Sequence, residues 1–268
     1  TQSAVSHALA RLRDQLGDPL FVRRGRVLVP SSLAVQLAPQ VREALGGLSR
    51  ALHGRRAFDP RRDLERLTIG LPAEVEPILL PGLFAHLEAA APDVTLTLAQ
   101  LDRGRLRADL AAGRFDVALD VARATEPDIL HERVMEDPFC VVAARGRRRL
   151  DRAAYLAAGH VAVSSRRTGP TLEDAQLGGA GVQRRVVVRC QRYEAACLVA
   201  ASSSLLLTMP RSQAELRSRL LPLRLFAPPV RIPPVRIELY WLRESGESPA
   251  NQWLRAALRP LFRRVATR

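Results

Sequence analysis

The segment from Thr1 to Gly17 restricts what this chain can fold into more than any other part of it. Val5, Leu9, Leu12 and Leu16 recur at helical spacing and form one apolar stripe. Thr1 is a residue type that caps a helix start, and Gly17 supplies the left-handed residue that ends one. The other side carries Ser3, His7 and Arg11, flanked by Gln2 and Ser6. A helix that is apolar behind and short and polar in front can enter a DNA major groove, since no long apolar side chain holds it off the base edges. The same pattern also fits an ordinary amphipathic surface helix.

Residues 18–30 decide between those two readings. Asp18-Pro19-Leu20-Phe21-Val22-Arg23-Arg24-Gly25-Arg26-Val27-Leu28-Val29-Pro30 reads as a short β-hairpin with apolar arms and three arginines around a glycine turn. Arginines at a hairpin tip are costly to bury and well placed to grip phosphates beside a groove. Helix and basic hairpin together form the later part of a winged helix-turn-helix. The run from Gln2, QSAVSHALARLRDQLGDPLFVR, resembles the recognition helix and wing of LysR-type transcriptional regulators. That resemblance implies double-stranded promoter DNA with a two-fold site as partner. Ser3, Ser6 and His7 would lie at or near base edges, with Gln2 and Arg11 beside them, and Arg23, Arg24 and Arg26 on phosphates. Family members carry further helices before this point, and this chain opens at Thr1 without an initiator Met. The expectation is therefore an N-terminally truncated member whose apolar stripe lacks its packing partners.

Charge supports a polyanionic partner. The chain is +14 overall, and residues 1–62 hold 11 Arg against 4 Asp or Glu, giving +7 in under a quarter of the length. Such clustering favours nucleic acid with salt-sensitive affinity. The chain has no lysine and is rich in Ala, Leu and Arg, a bias expected of a GC-rich coding sequence, so the clustering counts for more than the total. No 18-residue apolar run and no signal peptide are visible, which predicts a cytoplasmic protein without a membrane span. Cys140, Cys190 and Cys197 lie in apolar runs and read as buried thiols, and the five histidines show no metal-ligand spacing. Neither a metal nor a cofactor is expected.

After the wing, Ser31 or Ser32 opens a helix to about His53, with Leu33, Leu37, Val41, Ala44, Leu48 and Leu52 along one side. A stripe without a nearby partner points to self-association, and the resemblance implies a linker helix pairing subunits into a dimer or tetramer. Pro39 should kink this helix or strain it. Residues 54–62 read as a charged, aperiodic linker. From Leu67 onward strands and helices alternate, which predicts mainly parallel sheets covered on both faces. The fold class expected is α/β: a partial winged helix-turn-helix (1–30), a linker helix and hinge (31–65), then a two-lobed effector domain resembling periplasmic solute-binding proteins. EDPFCVVAARG, HVAVS and NQWLRAAL match the LysR spacing there. By that resemblance lobe 1 is 66–143 plus 231–268 and lobe 2 is 144–230, with crossovers near Val142–Arg145 and Val230–Pro234.

A ligand in such a fold sits in the cleft beyond the carboxyl ends of parallel strands. Position then names the candidates. Ala73 and Glu74 follow the first strand, where helix amides can hold a carboxylate, although the charge of Glu74 competes with an anion. Arg103 either pairs with an acid group or forms a surface salt bridge. Ser164, Ser165, Ser203 and Thr208 stand at or near strand ends and serve equally as caps or turn residues. Tyr193 either walls the cleft or packs in the core. The effector expected is a small acid or aromatic compound. Catalysis finds little support: the serines are not in a Gly-x-Ser-x-Gly elbow, and no Gly-rich phosphate loop occurs. The alternative is a solute-binding module whose basic N-terminus has no DNA role.

Overall fold

The computed structural model of the chain describes residues 2–24, 27–52, 57–164, 168–179 and 181–266. Helix α1 (Gln2–Leu16) ends at Gly17, whose φ of 60° is the left-handed value the sequence predicts. Strands β1 (Phe21–Arg24) and β2 (Val27–Pro30) form an antiparallel hairpin that sets Arg23 opposite Leu28. Asp18 fastens the hairpin at its base. Its Oδ1 accepts from the Leu20 amide and from the Ser31 hydroxyl, both at 2.6 Å. Ser31 Oγ in turn accepts from the Ala34 amide at 3.1 Å, so Ser31 is the cap of α2 (Ser32–Leu52). Leu20 is held at φ 59° with its side chain buried, a conformation that costs a non-glycine residue about 1 kcal/mol. The three hydrogen bonds around Asp18 and Ser31 offset that strain.

Helix α2 passes through Pro39 unbroken, so of the two outcomes expected of that proline the helix is kept as one piece. Val5, Leu12 and Leu16 on α1, and Val41 on α2, are exposed. The segment expected as a structureless linker is partly docked. Asp59 caps a short helix, α3 (Pro60–Asp63), and Phe58 packs on the first lobe, its ring centroid 6.5 Å from that of Trp253.

Two mixed sheets follow. The first lobe opens with β3 (Arg66–Leu71), α4 (Glu76–Ala90), β4 (Thr95–Gln100), α5 (Leu106–Ala111), β5 (Val117–Val121) and β6 (Ile129–Asp137). The second begins with β7 (Phe139–Ala144), α6 (Arg152–Ala157), β8 (Gly159–Val163), α7 (Leu172–Gly179) and β9 (Arg185–Cys190). It continues through α8 (Tyr193–Ser202), β10 (Leu206–Pro210), α9 (Arg211–Ser218) and β11 (Leu223–Phe226). The chain then returns to the first lobe with β12 (Val235–Leu242), α10 (Arg243–Gly246) and α11 (Pro249–Ala266).

Strand order is β4-β3-β5-β12-β6 in the first sheet and β11-β7-β10-β8-β9 in the second. β3 runs parallel to β4 and β5, and β8 runs parallel to β9 and β10. β12 lies antiparallel between β5 and β6, and β7 antiparallel between β10 and β11. The βαβ alternation thus accounts for three of the five strands of each sheet. The antiparallel strands are those by which the chain enters and leaves a lobe, because a strand arriving from the other lobe need not follow a crossover helix.

The first crossover lies at Pro138, not at Val142–Arg145. The run Phe139–Ala143, expected to close the first lobe, pairs with β10 and β11 in the second. A fully buried apolar strand looks alike in either lobe; the proline, which has no amide to donate, marks the break. The return falls between β11 and β12, where residues 230–234 were expected to cross. Each sheet is covered on both faces. Leu79, Leu83 and Leu87 of α4 pack with Leu254, Leu258 and Phe262 of α11 on one face of the first, and Leu106 and Leu110 of α5 pack with Tyr240 on the other.

The second lobe buries a polar trio. The Tyr155 hydroxyl and Thr208 Oγ share a hydrogen bond of 2.8 Å, and His160 Nε2 lies 2.9 Å from the Tyr155 carbonyl oxygen. Burial pushes the fully enclosed His160 down to about 4, with the hydrogen bond to Tyr155 opposing and the Arg184 charge adding to the fall. The unfolded chain therefore takes up a proton on this ring below its ordinary 6.5 while the folded one refuses it until about 4. Stability is unaffected by this group above that window and falls within it as pH drops, by on the order of 3 kcal/mol in full. Urea midpoints measured down the acid range should show a shallower decline for His160→Gln than for the wild type.

Candidate functional site

Two surfaces carry the candidate residues. On α1 the side chains of Ser3, Ser6, His7 and Arg11 are exposed, and Arg23 is exposed on β1. Arg26 lies outside the described residues, as do the side chains of Gln2 and Arg24. The turn joining helix and wing is held by Arg13, whose Nε donates to the Pro19 carbonyl at 2.8 Å. This arrangement offers short polar groups along one helix and a cation on the adjoining hairpin, a combination suited to base edges and phosphates.

The second surface is a cleft of about 1110 Å³ between the lobes. From the first lobe it is lined by the loop after β3, with Pro72, Ala73 and Glu74, and by the loop after β4, with Asp102 and Arg103. From the second lobe come Ser164 after β8, Thr171 before α7, Arg192 and Tyr193 after β9, and Gln213 on α9. These are carboxyl ends of parallel strands, as the topology of such sheets requires of a ligand site.

Arg103 is already engaged. Its Nε and Nη2 each donate to an Asp120 oxygen at 2.8 Å, and Asp120 is fully buried. The bond to Asp120 raises the guanidinium above its ordinary value against burial, with the charges of Asp120 and Glu74 adding to it. Tyr193 is both wall and core: 8% exposed, it lines the cleft while its hydroxyl donates to Glu173 at 2.8 Å. Burial pushes that hydroxyl well up, and the charges of Glu173, Glu74 and Asp137 push it further.

Two expectations are corrected by placement. Ser203 Oγ donates to the Val199 carbonyl at 2.6 Å and accepts from the Leu205 amide at 3.2 Å, so it ends α8 and stays off the cleft. Thr208 points into the second lobe at Tyr155 because its neighbours in β10 alternate faces. Neither residue lines the cleft. Ser165 lies outside the described residues.

Thr171, Asp137 and Gln213 are among the lining residues that escaped the sequence reading. Thr171 does carry a signal: Thr171 and Asp174 are spaced as a capping pair, with the Asp174 amide donating to Thr171 Oγ at 3.1 Å and the Thr171 amide donating to Asp174 Oδ2 at 3.2 Å. Asp137 and Gln213 carry none, since only the crossover brings them together. The first turn of α9 is bonded to the first lobe at three successive residues. The Arg211 amide donates to the Pro138 carbonyl at 2.8 Å and the Ser212 amide to Asp137 Oδ1 at 3.1 Å. The Ser212 hydroxyl also donates to Asp137, and Gln213 Nε2 donates to the Glu74 carbonyl oxygen. Burial raises the Asp137 carboxyl, opposed by the Ser212 bonds.

Among the described residues no group of three or more His, Cys, Asp or Glu could hold a metal. No helix among them is long and apolar enough to cross a membrane. Asp116 accepts from the Thr68 amide at 2.7 Å and Asp120 binds Arg103, so these two carboxylates do not form an acid–base pair.

Comparison with known proteins adds family matches at both ends. A family model for the LysR substrate binding domain matches residues 61–263, and one for the bacterial regulatory helix-turn-helix protein, lysR family, matches residues 1–34. The HTH-type transcriptional activator NagR of a Ralstonia species is 28% identical over 98% of this chain and 88% of its own length. Nodulation protein D 2 of Bradyrhizobium elkanii is 30% identical over 96% of this chain and 79% of its own. A chain from Pseudomonas aeruginosa described as a probable transcriptional regulator superposes with a TM-score of 0.69 at 33% identity, covering 97% of this chain and 88% of that one. CbnR bound to its target DNA superposes with a TM-score of 0.60 at 18% identity, over 99% of this chain and 90% of that one.

Proposed function

The chain belongs to the LysR family of transcriptional regulators, and from that premise we propose that a small molecule held between its lobes controls its grip on a two-fold promoter site. Ser3, Ser6 and His7 of α1 read or approach base edges, with Gln2 and Arg11 beside them. Arg23, Arg24 and Arg26 of the wing hold phosphates. The exposed apolar positions on α2, Val41 among them, pair two copies, so that lobe angle reaches two recognition helices at once. Ala73, Glu74, Arg103, Ser164 and Tyr193 surround the effector, and Thr171 and Gln213 join them. The protein performs no chemistry on the effector, and it works where promoter DNA is, in the bacterial cytoplasm.

One observation carries this reading: the polar face of α1 and the interlobe cleft lie on one chain, joined by the continuous helix α2. The test is fluorescence anisotropy of labelled DNA from the gene's own upstream region across a salt series. The chain is used with whatever residues its gene encodes ahead of Thr1. Selective binding that weakens steeply with salt is expected. Equal affinity for scrambled DNA would move the assignment to a solute-binding module.

A further inference from the structure

The arginines of the two lobes keep different company. In the first lobe Arg107 pairs with Asp128 at 2.7 Å, Arg133 with Glu136 at 2.5 Å and Arg259 with Glu132 at 2.8 Å. In the second, residues 145–152 and 219–224 hold seven Arg against one acid, Asp151, giving +6. Asp151 is turned to the Ala154 amide, 2.8 Å away, as the cap of α6. Arg147 donates to the Ser204 carbonyl at 3.5 Å, a neutral acceptor. Arg145, Arg148, Arg149, Arg152, Arg219 and Arg224 are exposed, and none has a carboxylate partner among the described residues. The two segments are neighbours. Arg224 of β11 lies opposite Ala143 of β7, and the Arg145 amide donates to the Pro222 carbonyl at 2.9 Å. A coding bias toward arginine fills both lobes; it does not withhold the carboxylates from one turn.

We propose that this arginine surface of the second lobe is a further DNA contact, which holds phosphates of the duplex flanking the site read by α1. Exposed guanidiniums without acids among them are the groups that neutralise phosphates and release counterions, and they carry no sequence information. A protein partner fits less well. Protein interfaces build on a core depleted of charge and rich in aromatic residues, whereas surfaces for DNA are far more positive. Residues 145–152 and 219–224 expose one large apolar side chain, Leu220, among their arginines. Affinity for the flank alone need not be high. Once α1 and the wing are seated, the second lobe meets nearby DNA at the effective concentration of a tethered group. The contact would bend or wrap the flank around the effector domain, and a change of lobe angle would then alter the path of the DNA as well as the spacing of the recognition helices.

This inference rests on the regulator reading, and its test separates the two. The chain, with whatever residues its gene encodes ahead of Thr1, is titrated against two duplexes across a salt series. One spans only the selective site, and the other carries the same site between long flanks of scrambled sequence. The wild type should bind the long duplex about tenfold or more tightly than the short one. Its slope of log affinity against log salt should be steeper there by about 3 or more in a dimer, at about 0.9 for each phosphate neutralised. Combining Arg145→Gln, Arg148→Gln and Arg149→Gln should remove most of that difference while leaving short-duplex affinity and the urea midpoint unchanged. The unchanged short-duplex affinity guards against reading a folding defect as a lost contact. Selective binding to the short duplex, with a length effect that is absent or is the same in the triple variant, overturns the flank contact and leaves the regulator. Lost transcription in vitro by a triple variant whose binding to both duplexes is unchanged would give the patch to an acidic protein surface instead. Absence of selective binding to the short duplex overturns both readings.

Discussion

Arg184→Ala is expected to lower the stability of the chain by about 3 kcal/mol, the range seen when one partner of a buried ion pair is removed. The Arg184 side chain is 1% exposed, and its Nε donates to Asp174 Oδ1 at 2.9 Å. Burial alone would push the Asp174 carboxyl up. The Arg184 charge and bonds, aided by Thr171, outweigh that and hold it below its ordinary value. Without the guanidinium, Asp174 keeps its bonds from Thr171 but loses its counter-charge. Urea unfolding should show the loss near neutral pH, shrinking as acid protonates the carboxylate. Adding Asp174→Asn to Arg184→Ala should cost less than the two single changes summed, because the second removes the stranded charge. Additive losses would show that the two side chains act independently. Since Thr171 lines the cleft, the same change should also loosen the cleft wall.

The wing gives the second large effect. Arg23→Ala should weaken DNA binding to every sequence alike and reduce the slope of log affinity against log salt by about 2 in a dimer, roughly one phosphate contact per wing. Arg23 is exposed on a hairpin whose base is closed by Asp18 and Ser31, so its removal leaves the fold intact. Stability measured by urea should be unchanged. An unaltered salt slope would take the wing off the phosphates.

The N-terminal elements were legible because their rules are local. Gly17 ends α1 with the positive φ that its position demands, and Ser31 caps α2 through an amide three residues on. β12 was legible end to end, since its run from Val235 to Leu242 is alternating and then apolar. The edge strand β6 was not: Ile129 to Asp137 places His131, Arg133 and Glu136 outward, where only β12 pairs with it, so its residues resemble a loop. The lobe boundary failed for a different reason. Phe139–Ala144 has the composition of a core strand, and composition cannot tell one core from another. In the site, the lining at strand ends followed from topology, whereas Thr208 was lost to the choice of sheet face. Asp137 and Gln213 depend on contacts between residues far apart in sequence, which no local pattern encodes.

Those contacts have a mechanical consequence. Pro210 offers no side chain to cap α9, and the cap comes instead from Asp137, at the last position of β6 in the other lobe. The amides of a helix end thus belong to one lobe and their acceptors to the other, with the Arg211 and Gln213 bonds on either side. Sliding one lobe past its neighbour would strand these donors at about 1 kcal/mol or more each, while tilting about the helix end keeps them. The lobes are joined as at a ball-and-socket joint whose socket is a carboxylate. In the proposed mechanism a ligand entering at the far rim acts on the angle of that joint, and angle is what the linker helix would carry to the DNA-binding end.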